Sequence, residues 1–106
     1  MKITDVKPIP TQPTEYSRRA NRTWTFVQID TDEGITGLGE SGAWGHLEAS
    51  EAAIQKFGRY LVGKDPLRIE HHWQYMYRFS HFRGAAIMGA ISALDIAMWD
   101  IAGKHF

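Results

Sequence analysis

The sequence predicts an α+β domain: a three-stranded antiparallel meander followed by a bundle of about three helices. Apolar residues keep a two-residue period up to Glu40 and a helical period after His46. Gly34, Gly63 and Gly84 stand where one element must give way to the next. A length of 106 residues allows one domain and leaves no room for a (β/α)8 barrel of about 250 residues.

Residues 2–10 read as a short strand with Ile3 and Val6 apolar, which Pro8 and Pro10 confine to a sheet edge or end. Residues 11–22, TQPTEYSRRANR, are rich in turn formers and read as a loop. At about a dozen residues it has the length of many functional loops. Residues 23–31 are β-branched and aromatic, with Trp24 and Phe26 on one face and Val27 and Ile29 on the other. Asp32-Glu33-Gly34 makes a tight turn and residues 35–40 return, so 23–40 is a hairpin. Leu47, Ile54, Phe57 and Leu61 share one stripe of a helix over 46–62, stopped by Gly63. Asp65-Pro66 predicts the next start, with Asp65 as N-cap and Pro66 at the first helical position. This second helix, over 66–80, carries Ile69, Trp73 and Met76 on one face and ends in the loop Ser80–Gly84.

The third helix, over 85–103, is apolar nearly all round, from Ile87 and Met88 to Trp99 and Ile101. Such a helix must be covered on more than one side. Three strands and two helices cover one flank and little more, so we expect a fragment, or a chain that needs a partner. Twelve basic residues balance twelve acidic ones, leaving no net field to recruit nucleic acid or an anionic membrane. No cysteine is present, which removes disulfides, thiol catalysis and Cys-ligated zinc, and a cytoplasmic location is expected. The longest uncharged run in the apolar stretch, Gly84–Leu94, is too short to cross a bilayer.

Gly37-Leu38-Gly39-Glu40-Ser41-Gly42 fits G-x-G-x-x-G, but it follows a hairpin strand and no parallel βαβ partner comes after it. A glycine strand that lets another backbone approach closely is the better reading. His71 and His72 are adjacent on a helix and point about 100° apart, so they cannot chelate one ion. Together with His46, His81 and His105 they read as surface histidines. Asp95 and Asp100 lie inside the apolar helix and are expected to cap or to pair with Lys or Arg of neighbouring elements. Tyr16, Arg18, Arg19 and Arg22 crowd the 11–22 loop, either as solubilising charge or as guanidinium donors to a carboxylate or phosphate.

Three segments together resemble the mandelate racemase/muconate lactonizing branch of the enolase superfamily. They are the hairpin Asp32–Glu40, the junction Gly63-Lys64-Asp65-Pro66, and Ala90–Lys104, AISALDIAMWDIAGK. Trp73–Arg78 with Phe82-Arg83-Gly84 is most similar to galactonate- or mannonate-type sugar-acid dehydratases. The resemblance implies an N-terminal capping domain whose catalytic barrel, with its Mg²⁺ ligands and Lys or His bases, is absent from this chain. In that barrel the proton α to a substrate carboxylate is abstracted, the metal stabilises the enediolate, and in dehydratases a β-hydroxyl leaves.

What passes to this chain is the cap's role, two loops that close over the barrel mouth and select the substrate. They map onto 11–22, with Tyr16, Arg18, Arg19 and Arg22, and onto Ser41–His46, with Trp44 in a position that resembles a substrate-facing one. No catalytic residue and no metal ligand is expected in this chain. The 11–22 loop is longer and more basic than in the dehydratases it otherwise resembles, and Met98 replaces a common Leu at little cost in volume. The expected partners are the C-terminal barrel of the same polypeptide, a sugar-acid substrate and other copies in a homo-oligomer. The rival reading is a stand-alone α+β module for ligand binding or self-association.

Overall fold

Alternation of small apolar and polar side chains gives three strands in the computed structural model, which describes residues 1–11, 15 and 24–106. Strands β1 (Ile3–Thr11), β2 (Trp24–Thr31) and β3 (Thr36–Ser41) form an antiparallel sheet in the order β1-β2-β3. Thr25, Val27, Ile29 and Thr31 of β2 are buried against the helices, while Trp24 is exposed. The two faces therefore separate as the sequence predicts. Pro8 and Pro10 lie on edge strand β1, where a missing N–H does least harm. Gly34 closes the β2–β3 turn with φ of 77°, a conformation that costs glycine nothing.

Helix α1 (Leu47–Leu61) lays Ile54, Phe57 and Leu61 on the sheet. It ends where Gly63 turns left-handed at φ 86°. The turn beyond it folds onto the outer side of β1. Ile3 N–H donates to the Lys64 carbonyl and Gly63 N–H to the Ile3 carbonyl, each at 2.8 Å.

Helix α2 (Ile69–Phe79) begins later than the expected residue 66, and Asp65 is not its N-cap. The Asp65 carboxylate instead accepts from Leu67 N–H at 2.9 Å, and the Asp65 carbonyl accepts from Arg68 N–H at 3.3 Å. The side chain closes a turn around Pro66-Leu67 before the helix starts, a use Asp serves as readily as capping.

Helix α3 (Ala85–His105) is the core helix. Ala90, Ile91, Ala93, Leu94, Ala97, Met98 and Ile101 are buried between β3, α1 and α2. By length and composition alone it could cross a membrane, but here it is packed among the other elements. Ser92, Ile96, Trp99 and Gly103 form an exposed stripe at helical spacing that no other described element covers, with Trp99 62% exposed.

The glycine run explains how β3 and α3 come so close. A Cβ built on Gly37 or Gly39 would collide with the carbonyl oxygens of Ala97 and Ala93. These glycines admit a helix backbone, as the sequence reading prefers, and form no phosphate cradle. Around the edge of β3, the Asp100 carboxylate accepts from Leu38 N–H at 2.9 Å, and Lys104 Nζ donates to the Thr36 carbonyl at 2.7 Å.

Candidate functional site

The sheet brings two connecting segments to one end. Thr11 pairs with Trp24, so residues 12–23 leave and return there. Ser41, the last residue of β3, pairs with Thr25 at the same end. Tyr16, Arg18, Arg19 and Arg22 lie outside the described residues. At the anchors of their segment Thr11 Oγ1 donates to the Trp24 carbonyl at 3.1 Å.

Trp44 and His46 are both placed by the link from β3 to α1. Trp44 N–H donates to the Gly42 carbonyl at 2.8 Å and His46 N–H to the Ala43 carbonyl at 3.0 Å. Gly45 between them takes φ of 90°. Trp44 is 53% exposed, and its indole stacks on Trp24 with centroids 5.7 Å apart and planes 6° from parallel. His46 sits at the N-cap of α1, exposed and making no side-chain capping bond. Below them the Ser41 and Ser50 hydroxyls meet at 2.8 Å in the interior.

The sequence marks Trp24 only as a strand residue, and nothing local identifies it as the partner of Trp44. Its position at the mouth of the 11–22 loop was the available signal. Among the described residues the arrangement offers an exposed aromatic face, with the His46 imidazole two residues along the chain, the kind of surface on which C–H faces pack.

The remaining candidates are structural. His72 corrects the expectation of surface histidines, because it is buried at 1% exposure. Its Nε2 donates to the Asp65 carbonyl at 2.7 Å, which leaves Nδ1 to accept from the Tyr60 hydroxyl at 2.9 Å. Burial holds its pKa below the ordinary histidine value, consistent with a neutral ring. His71 and His81 are exposed, the latter at φ 47°.

Asp100 has the partners described above and a 3.0 Å ion pair to Lys104 of its own helix. The Leu38 N–H, then Lys104, holds its carboxyl below the usual value. The expected pairing with a neighbouring element is thus met by a backbone donor, and the cation comes from α3 itself.

Asp95 departs further from expectation. Among the described residues no cation pairs with it, and burial, reinforced by the charge of Glu70, raises its carboxyl above the ordinary value. It is only half-buried and lines a cavity of about 300 Å³ with Ile69, Glu70, Trp73 and Trp99. Among the described residues, no three His, Asp or Glu side chains converge as a metal-binding group would require.

The family described as mandelate racemase / muconate lactonizing enzyme, N-terminal domain, matches residues 1–106. A D-galactonate dehydratase of Variovorax paradoxus (strain S110) is 49% identical over 90 residues, covering 84% of this chain and 24% of that protein. The crystal structure of an enolase from Pantoea ananatis with bound d-gluconate and Mg superposes with a TM-score of 0.87 at 36% identity, covering 98% of this chain and 24% of that one. The 3,6-anhydro-D-galactonate cycloisomerase of Zobellia galactanivorans gives a TM-score of 0.83 at 32% identity, covering 99% of this chain and 29% of that one. The chain thus spans about a quarter of the length of the curated relatives it matches.

Proposed function

This chain belongs to the mandelate racemase / muconate lactonizing enzyme family as its N-terminal domain, and on that premise we propose that it caps the active site of a Mg²⁺-dependent sugar-acid dehydratase. The catalytic barrel is carried by the same polypeptide, and the enzyme works in the cytoplasm as a homo-oligomer. Relatives named D-galactonate dehydratase, some four times longer than this chain, support both the substrate class and the second domain. The observation that carries the reading is the exposed Trp44 indole, stacked on Trp24 at the end of the sheet where Thr11 and Trp24 pair and Ser41 opens the 42–46 link.

The chemistry of a polyhydroxy carboxylate fits these residues. Arg18, Arg19 and Arg22 offer paired, directional donors to a carboxylate. Trp44 gives a rigid wall for the C–H face of the carbon chain, and His46 can bond a hydroxyl. Closed over the barrel, the two segments exclude water and orient the substrate. Mg²⁺, held by the barrel and not by this domain, supplies electrostatic stabilisation for removal of the proton α to the carboxylate.

The test uses the full-length polypeptide against a panel of aldonic and aldaric acids, with solvent deuterium exchange at the α-carbon reporting proton abstraction. At least one of Arg18→Ala, Arg19→Ala and Arg22→Ala should lower kcat/KM by about 2–3 kcal/mol, the scale of a charge-assisted hydrogen bond. Trp44→Ala should change the ranking among acids more than the exchange rate. Turnover of no acid in the panel would end the sugar-acid reading. Wild-type values in all three arginine variants would reduce the 11–22 loop to solvated surface.

A further inference from the structure

The root and the tip of the 42–46 segment are held in different ways. At the root, the Ser41–Ser50 hydroxyl pair is buried, and Gly89 of α3 packs directly beneath it. A Cβ at Gly89 would stand 2.9 Å from Ser41 Oγ and 3.1 Å from the Ala43 Cβ, closer than side chains ordinarily pack. The short backbone bonds from Trp44 and His46 then fix the path of the chain. None of these contacts reaches the Trp44 ring. An indole on an exposed loop has a broad choice of side-chain torsions, and among the described residues only one ring contact limits it, the parallel face of Trp24.

Trp24 is anchored differently. It is the first residue of β2, paired with Thr11 in the sheet and bonded through its carbonyl to Thr11 Oγ1. Its backbone moves with the sheet, so the ring stacked on Trp44 stands on a rigid element. We propose that Trp24 is the positioning residue for Trp44: it fixes the angle at which the Trp44 indole meets a sugar-acid substrate, and shapes substrate choice without touching the substrate. This rests on the sugar-acid reading above. The physical gain is preorganisation, since an indole already held in one orientation loses no further rotamer freedom when the substrate arrives.

The experiment compares wild type, Trp24→Phe, Trp24→Ala, Trp44→Ala and the double alanine variant of the full-length polypeptide. Trp24→Ala should raise KM for the preferred acid about three- to tenfold, the range of an aromatic-pair interaction, with kcat changed less. It should shift the ranking among acids in the same direction as Trp44→Ala. The double variant should be no worse than Trp44→Ala alone, because the two residues act as one unit. Trp24→Phe keeps an aromatic face and should recover most of the KM.

A readout independent of activity accompanies these. Two closely stacked indoles give a paired circular dichroism band in the far ultraviolet. It should be present in the wild type and lost in Trp24→Phe, with the thermal midpoint unchanged. A wild type without that band, additive alanine variants, or a Trp24→Ala enzyme with wild-type KM and ranking would each overturn the proposal. Those results leave the sugar-acid reading standing, whereas a wild type that turns over no acid while showing the band overturns that reading and the substrate half of this one.

Discussion

Gly39→Ala tests the closest contact in the core. A Cβ at this position meets the Ala93 carbonyl oxygen head-on, and would lie 2.9 Å from the Ala93 carbonyl carbon and 3.1 Å from Ala97 N. All three are helix backbone, so no flexible side chain can swing away. Ordinary contact starts at 3.4 Å, and the carbonyl must retreat by roughly 1 Å or more in a core packed densely enough to pass the strain on. Overpacking of this kind costs about 1–3 kcal/mol. Against it stands a gain of about 0.4–1 kcal/mol, because alanine narrows the unfolded ensemble. The clash wins, with a net loss of about 1–2 kcal/mol. For a domain of this size that corresponds to about 4–16 °C in Tm. Gly42→Ala is the control, since nothing among the described residues lies within 4 Å of its Cβ and its change should stay within about 0.5 kcal/mol. Thermal and urea melts of the two variants decide the matter. If Gly39→Ala melts with Gly42→Ala, the helix does not rest on the glycine strand as described.

Four further outcomes follow from the described residues. The lowered pKa of buried His72 means that its contribution is present above the ordinary value of 6.5 and lost as pH falls through the lower folded value; urea midpoints should drop between about pH 7 and pH 5, and His72→Gln should flatten that slope. Asp100→Ala strands the Leu38 N–H and should cost about 1 kcal/mol, while the wild-type contribution is lost only as pH falls below 3.8, measurable as a difference in melts near pH 5 and near pH 3. The open stripe with Ile96 and Trp99 should make the 106-residue chain bind a hydrophobic dye or self-associate, and Ile96→Glu should relieve it, checked by light scattering. The same chain should show no turnover of any sugar acid and no micromolar Mg²⁺ binding by calorimetry, since among its described residues no metal-binding cluster forms.

Strand pairing was legible because alternation at Thr25, Val27 and Ile29 leaves only one way to bury the sheet. The close approach at Gly37 and Gly39 was legible for a related reason: glycine in a strand has little use except proximity. The start of α2 was not. An N-cap carboxylate and a turn-closing carboxylate make the same bond, to the N–H two residues on, and Asp65-Pro66 reads alike for both. His72 was misread because its partner Tyr60 lies on another helix, so no local pattern announces the pair. The site was half visible. Trp44 stood out as a bare aromatic in a loop, but the ring that holds it is distant in sequence and joined only by the register of the sheet.

That sheet also decides how the domain can meet other chains. A three-stranded sheet has two rims of unpaired backbone groups, each an invitation to strand addition and aggregation. On one rim Asp100 occupies the Leu38 donor and Lys104 the Thr36 acceptor. On the other, the Gly63–Lys64 turn occupies both groups of Ile3, and Pro8 and Pro10 offer no donor at all. A neighbouring polypeptide is therefore denied the backbone route at these points, and its contacts must be made through side chains of helices and loops. Recognition by side chains is specific to shape and charge where backbone pairing is indifferent to sequence. Such a domain can sit beside many copies of itself at high concentration without zipping into them.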